Sequence, residues 1–129
     1  MSLWLLDASV FLAAEDADDE HHSDASRLIV GADPLATLDL AFYEVTNVAL
    51  RAWGDPLAAG RLRESVAAVA DDGGAVRVDP DLAGQAADIA LEHGISAYDA
   101  AYVAAARRAR ARLVSCDRRD LVSRGLAVL

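Results

Sequence analysis

The sequence predicts an α/β fold: a parallel sheet covered by helices on both faces. Three observations predict it. Short apolar runs alternate with longer helical segments along the whole chain. The candidate strands read as continuous apolar runs rather than as in/out alternation, the pattern of strands buried on both faces. Helix starts are marked by cap residues followed by proline, as at Asp55–Pro56 and Asp79–Pro80.

From the N-terminus, Leu3–Leu6 is a short apolar run ending at an acid, and a helix begins over Ala8–Ala14. Asp16–Glu20 reads as a solvated acidic turn before a helix over Ser23–Val30. Leu35–Leu38 after Pro34 is a strand. Asp39 is expected to cap a helix from Leu40 to Trp53, stopped by Gly54. The Asp55–Pro56 helix is expected to reach about Ala70, with a turn at Asp71–Gly74 and a strand over Val76–Val78. The Asp79–Pro80 helix runs to His93 and closes at Gly94. Ser96 starts a helix that ends among Arg107, Arg108 and Arg110. Leu113–Cys116 is a strand, and Leu126–Leu129 is a candidate last one.

At 129 residues, one domain over 1–129 is expected, since a second core would lack material. Hydrophobic residues make up 54% of the chain, enough to exclude global disorder. Much of that content is alanine, which predicts close-packed helices. No run approaches the roughly 18 apolar residues of a membrane span. Asp7 and the absence of a basic start argue against a signal peptide, so a cytoplasmic protein without membrane contact is expected. The single cysteine, Cys116, cannot form an intrachain disulfide and reads as a small buried side chain.

The net charge is −9, but it is unevenly distributed. Residues 1–50 hold ten acids and one base, whereas 101–129 hold seven arginines and two acids. A local arginine cluster can grip phosphates on an otherwise acidic protein. Arg107, Arg108, Arg118 and Arg119 are the candidates, against the simpler reading of helix-dipole complementation. All twelve basic residues are arginine.

The acids carry the chemistry. In open α/β sheets, sites form beyond the carboxyl ends of the strands. Asp7 and Asp117 each directly succeed a candidate strand there. Either can also be a simple cap for the next turn or helix. Glu44 and Asn47 are three apart and share one face of a helix that is otherwise largely apolar. Asp99 stands three residues after Ser96, where an acid completes a capping box; that role is compatible with leaning over the sheet edge. Four carboxylates converging there would repel one another unless a cation sat among them. Oxygen-only ligands suit Mg²⁺ or Mn²⁺.

The order of four segments resembles the PIN-domain family, and within it VapC-type toxins. They are Leu6–Asp7–Ala8–Ser9, Tyr43–Glu44–Val45–Thr46–Asn47, Tyr98–Asp99–Ala100–Ala101–Tyr102 and Val114–Ser115–Cys116–Asp117–Arg118–Arg119–Asp120–Leu121. The resemblance implies a three-layer α/β/α fold and a catalytic metal site of Asp7, Glu44, Asp99 and Asp117 holding one or two Mg²⁺ or Mn²⁺ ions. Ser9, Asn47 and Ser115 fall on supporting polar positions, with Ser115 where Thr is more usual. It further implies an endoribonuclease acting on RNA such as tRNA or rRNA, silenced by a cognate antitoxin, and a homodimer. Asp39 and Asp120 stay outside the expected metal site, Asp39 as a helix cap and Asp120 orienting Arg118 or Arg119.

Two alternatives remain. A phosphatase with Asp7 as nucleophile would need a balancing lysine, and the chain has none; Ser9 also replaces that motif's second Asp. A non-catalytic PIN-like binding protein would keep the acids only to bind metal or an antitoxin. His21, His22 and His93 have no zinc-site spacing and are expected at the surface or at helix ends. Trp4, Phe11, Phe42, Tyr43 and Trp53 are expected in the core or at a dimer contact.

Overall fold

A computed structural model describes residues 3–129. Four strands, β1 (Trp4–Leu6), β2 (Leu35–Leu38), β3 (Ala75–Val76) and β4 (Arg112–Val114), form one sheet in the order β3-β2-β1-β4. Every pairing is parallel, and Leu6 sits level with Thr37 on one side and Val114 on the other. The expected α/β architecture is therefore present. Leu5, Leu6 and Leu38 are fully buried, as central strands covered on both faces require.

The helices are α1 (Ala8–Glu15), α2 (His22–Val30), α3 (Ala41–Arg51), α4 (Pro56–Gly73), α5 (Pro80–His93) and α6 (Ala97–Ala109). Asp55 and Asp79 accept the N–H of Ala58 and Leu82 as helix caps, and the prolines after them occupy the first turns. Alanine is the packing residue: Ala41, Ala49, Ala100 and Ala105 are fully buried. Gly94 ends α5 with φ 65° in the left-handed region, where a side chain would be strained.

Several boundaries differ from expectation, two of the strand ends for a hydrogen-bonding reason. Helix α3 begins at Ala41, and Asp39 does not cap it; Asp39 Oδ1 accepts the Val78 N–H at 3.1 Å. That bond takes Val78 out of the ladder, so β3 stops at Val76. Strand β4 stops at Val114 because the Cys116 N–H turns to Ser9 Oγ. Helix α4 continues through the expected turn to Gly73. The expected last strand is a single parallel bridge, Val114 to Val128. His21 stands at a helix end, as the N-cap residue of α2, and is buried at 7% exposure. Among the described residues, no helix is long and apolar enough to cross a membrane.

Candidate metal centre

Both strand-end aspartates act as caps, and both reach the same edge. Asp7 leaves β1 and accepts the Ser9 N–H at 3.0 Å, starting α1. Asp117 lies past the end of β4 and accepts the Asp120 N–H at 3.0 Å. That second cap opens a short π-helical turn, η1 (Arg118–Val122), in which the Val122 N–H reaches back to the Asp117 carbonyl. Such wide turns are frequent at functional sites. Here it puts Asp120 beside Asp117.

Asp99 arrives from α6. Ser96 Oγ accepts the Asp99 N–H at 3.0 Å, so the expected cap is present. The cap engages the backbone of Asp99 and leaves its carboxylate to the sheet edge. One oxygen from each of Asp99, Asp117 and Asp120 lies within 4.8 Å of the others. A six-coordinate Mg²⁺ spans roughly 4 Å between opposite oxygens, so small side-chain rotations suffice to close the trio on an ion. The donors are all carboxylate oxygens, which suits a hard divalent cation.

Asp7 and Glu44 stand behind Asp99, within reach of its charge. Burial pushes Asp7 up to about 6; polar contacts from Ser115, Ser9 and the Val10 N–H oppose that rise, and the Asp99 charge adds to it. Burial also raises Glu44, against a hydrogen bond donated by the Tyr102 hydroxyl to its Oε1 and with the Asp99 charge. Asp99 itself is raised by burial and then by Asp117, with Asp120 adding its charge. All three carboxyls are raised chiefly by burial, with neighbouring acid charges adding to the rise, and a cation beside them would favour their charged forms.

A hydroxyl bridge joins the two strand ends. Ser9 Oγ donates to Asp7 Oδ1 and accepts the Cys116 N–H at 2.9 Å. Ser115 Oγ accepts the Asp117 N–H at 3.0 Å and lies 3.4 Å from Ser9 Oγ. Burial and the nearby Asp7 push the Cys116 thiol up to about 11, which keeps it an inert thiol.

The other expected residues are distributed unevenly. Asn47 is exposed one turn after Glu44 on α3. Arg118 and Arg119 are exposed directly beside Asp117. Arg107 and Arg108 occupy the last turn of α6, while Asp99 occupies the first. Arg108 forks onto Asp79 at 2.8 and 3.1 Å. Helix α6 thus leads these two away from the acids, toward the start of β4.

Two contributors were not anticipated. Asp120, expected outside the site and orienting Arg118 or Arg119, instead belongs with the acidic trio, and among the described residues no ion pair joins it to an arginine. Its spacing of three from Asp117 in a turn was the available signal. Tyr102 is buried and orients Glu44. It stands three residues after Asp99, on one helix face, which was its signal.

The PIN-domain family model matches residues 4–124. The chain belongs to the PIN-domain family. Ribonuclease VapC3 of Pyrobaculum aerophilum is 36% identical over 121 residues, covering 88% of each chain. Among solved structures, this PIN domain is similar to VapC20 of Mycobacterium tuberculosis, described as a sarcin-ricin loop cleaving toxin. That match has a TM-score of 0.76 at 22% identity and covers 98% of both chains. A toxin–antitoxin complex from Klebsiella pneumoniae gives a TM-score of 0.72 at 17% identity, covering 97% of this chain and 95% of that one. At those identities the structural likeness speaks for the fold, and the three-layer PIN arrangement is the fold observed.

Proposed function

We propose that this PIN domain is a divalent-metal-dependent endoribonuclease and the toxin of a toxin–antitoxin pair. The observation that carries the reading is the acidic edge: Asp99, Asp117 and Asp120 within ligand reach of one another, backed by Asp7 and Glu44. The ribonuclease and toxin assignments of the similar proteins support the substrate and the biological role.

Asp7, Glu44, Asp99 and Asp117, joined by Asp120, would hold the ion, with Mg²⁺ or Mn²⁺ the species their oxygens suit. The bound ion would supply a lowered pKa for an attacking water and neutralisation of the scissile phosphate. Tyr102 holds Glu44 in one orientation through its hydroxyl. Ser9 and Ser115 lock the two strand ends together, fixing the distance from Asp7 to Asp117. Asn47 offers an amide beside Glu44 for the ribose or phosphate. Arg118 and Arg119 draw the RNA backbone to an edge that would otherwise repel it.

The RNA is a structured cellular species such as tRNA or rRNA. The partner is an antitoxin whose cationic segment covers the acids, and the active unit is a homodimer in the cytoplasm. The test is cleavage of total tRNA and rRNA by the purified protein with Mg²⁺ or Mn²⁺, with EDTA, and by Asp7→Asn. Metal-dependent cleavage that Asp7→Asn abolishes, with the fold intact by circular dichroism, is expected. Cleavage that survives EDTA overturns the metal mechanism.

A further inference from the structure

The carboxyl edge of the sheet has two halves. Asp7 and Asp117 lie beyond β1 and β4 on one half. On the other, beyond β2 and β3, lies an open cleft of about 530 Å³ lined by Asp39, Leu40, Phe42, Tyr43 and Val78. Its volume is that of a small-ligand pocket. Tyr43 is 80% exposed and Val78 51% exposed. Tyr43 is thus outside the core. A single exposed apolar residue needs no explanation. An exposed aromatic over an apolar cleft, one residue from Glu44, does.

We propose that this cleft is a nucleobase subsite, in which Tyr43 stacks on an unpaired base next to the scissile phosphate. The inference rests on the ribonuclease reading and deepens it by assigning the place where the base beside the cleaved bond is held. Three observations converge on it. First, the spacing is right. Strands β1 and β2 are neighbours and Leu6 pairs with Thr37, so Asp39 lies one strand over from Asp7 and one residue further along, roughly 6 Å away. A phosphate over the acids therefore puts an adjoining base over β2 and β3.

Second, the lining is selective. Leu40, Phe42, Tyr43 and Val78 offer apolar and π surface, and the one charged group lining the cleft, Asp39, is negative. A negative wall repels a phosphate and admits a base, whose exocyclic amine can donate to a carboxylate. Third, the wall is pre-organised. Asp39 Oδ1 accepts the Val78 N–H, and the Asp39 N–H donates to the Val76 carbonyl at 2.9 Å, so the two strand ends are tied across the cleft floor. Bases in a duplex are stacked and out of reach, so a stacking wall of this kind selects loops, bulges or ends.

The test uses the full chain in an Asp7→Asn background, where binding is read without cleavage. Probes are a fluorescein-labelled ten-nucleotide single-stranded RNA and the blunt duplex of the same sequence. Tyr43→Ala is expected to weaken single-strand binding about tenfold and to leave duplex binding within twofold, with Tyr43→Phe close to the parent. Unchanged single-strand affinity in Tyr43→Ala overturns the subsite. So does equal loss on both probes. Sedimentation and antitoxin pull-down on the same variant distinguish the other occupants: loss of self-association or of antitoxin binding with RNA affinity intact assigns the cleft to protein and overturns the proposal. Failure of the wild-type chain to cleave RNA in Mg²⁺ or Mn²⁺ sinks the ribonuclease reading instead, and the binding arm still decides the subsite.

Discussion

Asp7 and Asp117 are the same signal in two settings. Each follows a strand, Asp7 directly after β1 and Asp117 three residues beyond β4, and each caps the next turn through one oxygen. Asp7 is 5% exposed, enclosed by the hydroxyls of Ser9 and Ser115, and is pushed up to about 6. Asp117 is half-buried in a widened turn that brings Asp120 and Asp99 to its side. The difference teaches that two carboxylates of one sheet edge can differ in setting, one enclosed by hydroxyls and raised by burial, the other half-buried among further acids. Burial comes from neighbours far away in the chain.

The largest expected effect tests whether both carboxylates are essential. Asp7→Asn and Asp117→Asn should each lower metal-dependent RNA cleavage by roughly 10²- to 10³-fold, the scale of losing one preorganised electrostatic group. Single-turnover cleavage of one RNA checks it. If only one variant loses activity, the two positions are not parts of one centre.

Stability should separate the two next. A carboxyl whose folded value is raised favours its protonated form in the folded state. Metal-free stability therefore falls as pH rises from the unfolded value near 3.8 through about 6, and the penalty is complete above that. Asp7→Asn removes the charge and should stabilise the metal-free protein by about 1–3 kcal/mol at pH 7.5, with the gain vanishing below pH 4. Urea unfolding at the two pH values measures it. A destabilised variant at pH 7.5 would show that the Asp7 bonds outweigh its burial.

Metal binding sharpens the other half. Mn²⁺ should raise the melting temperature by mass action on the folded state. Asp120→Asn should weaken Mn²⁺ binding about 10- to 100-fold by titration calorimetry. An unchanged affinity would return Asp120 to a purely structural place in η1.

The arginines give the smallest effects. Arg118→Ala should weaken RNA binding and reduce the salt slope by about 1. Arg108→Ala, which loses only an exposed fork to Asp79, should leave both unchanged and alter stability by less than about 1 kcal/mol. Fluorescence anisotropy across a salt series reads both. Equal slopes would place the phosphate path along α6 instead.

The fold was legible because its signals are local. Asp55–Pro56, Asp79–Pro80, Ser96 and Gly94 mark helix ends by chemistry within four residues, and the structure keeps each of them. Strand limits were less legible. Val78 and Cys116 leave the ladder because their N–H groups bond to Asp39 and Ser9, partners 39 and 107 residues away. Of the acidic edge, Asp99 and Asp117 could be read from a cap and a strand end. Asp120 was less legible: its spacing of three from Asp117 was the one local signal, and it is the π-helical turn that brings it to Asp117's side.

The order of strands and helices and the supply of acids were determined by the sequence alone, since apolar period and capping act between near neighbours. Which acid is buried, which oxygens come within reach of one ion, and which arginines stay near them were decided by the tertiary structure. Desolvation and charge repulsion depend on distance in space, and residues 7, 44, 99, 117 and 120 become neighbours only when the parallel sheet gathers its strand ends at one edge.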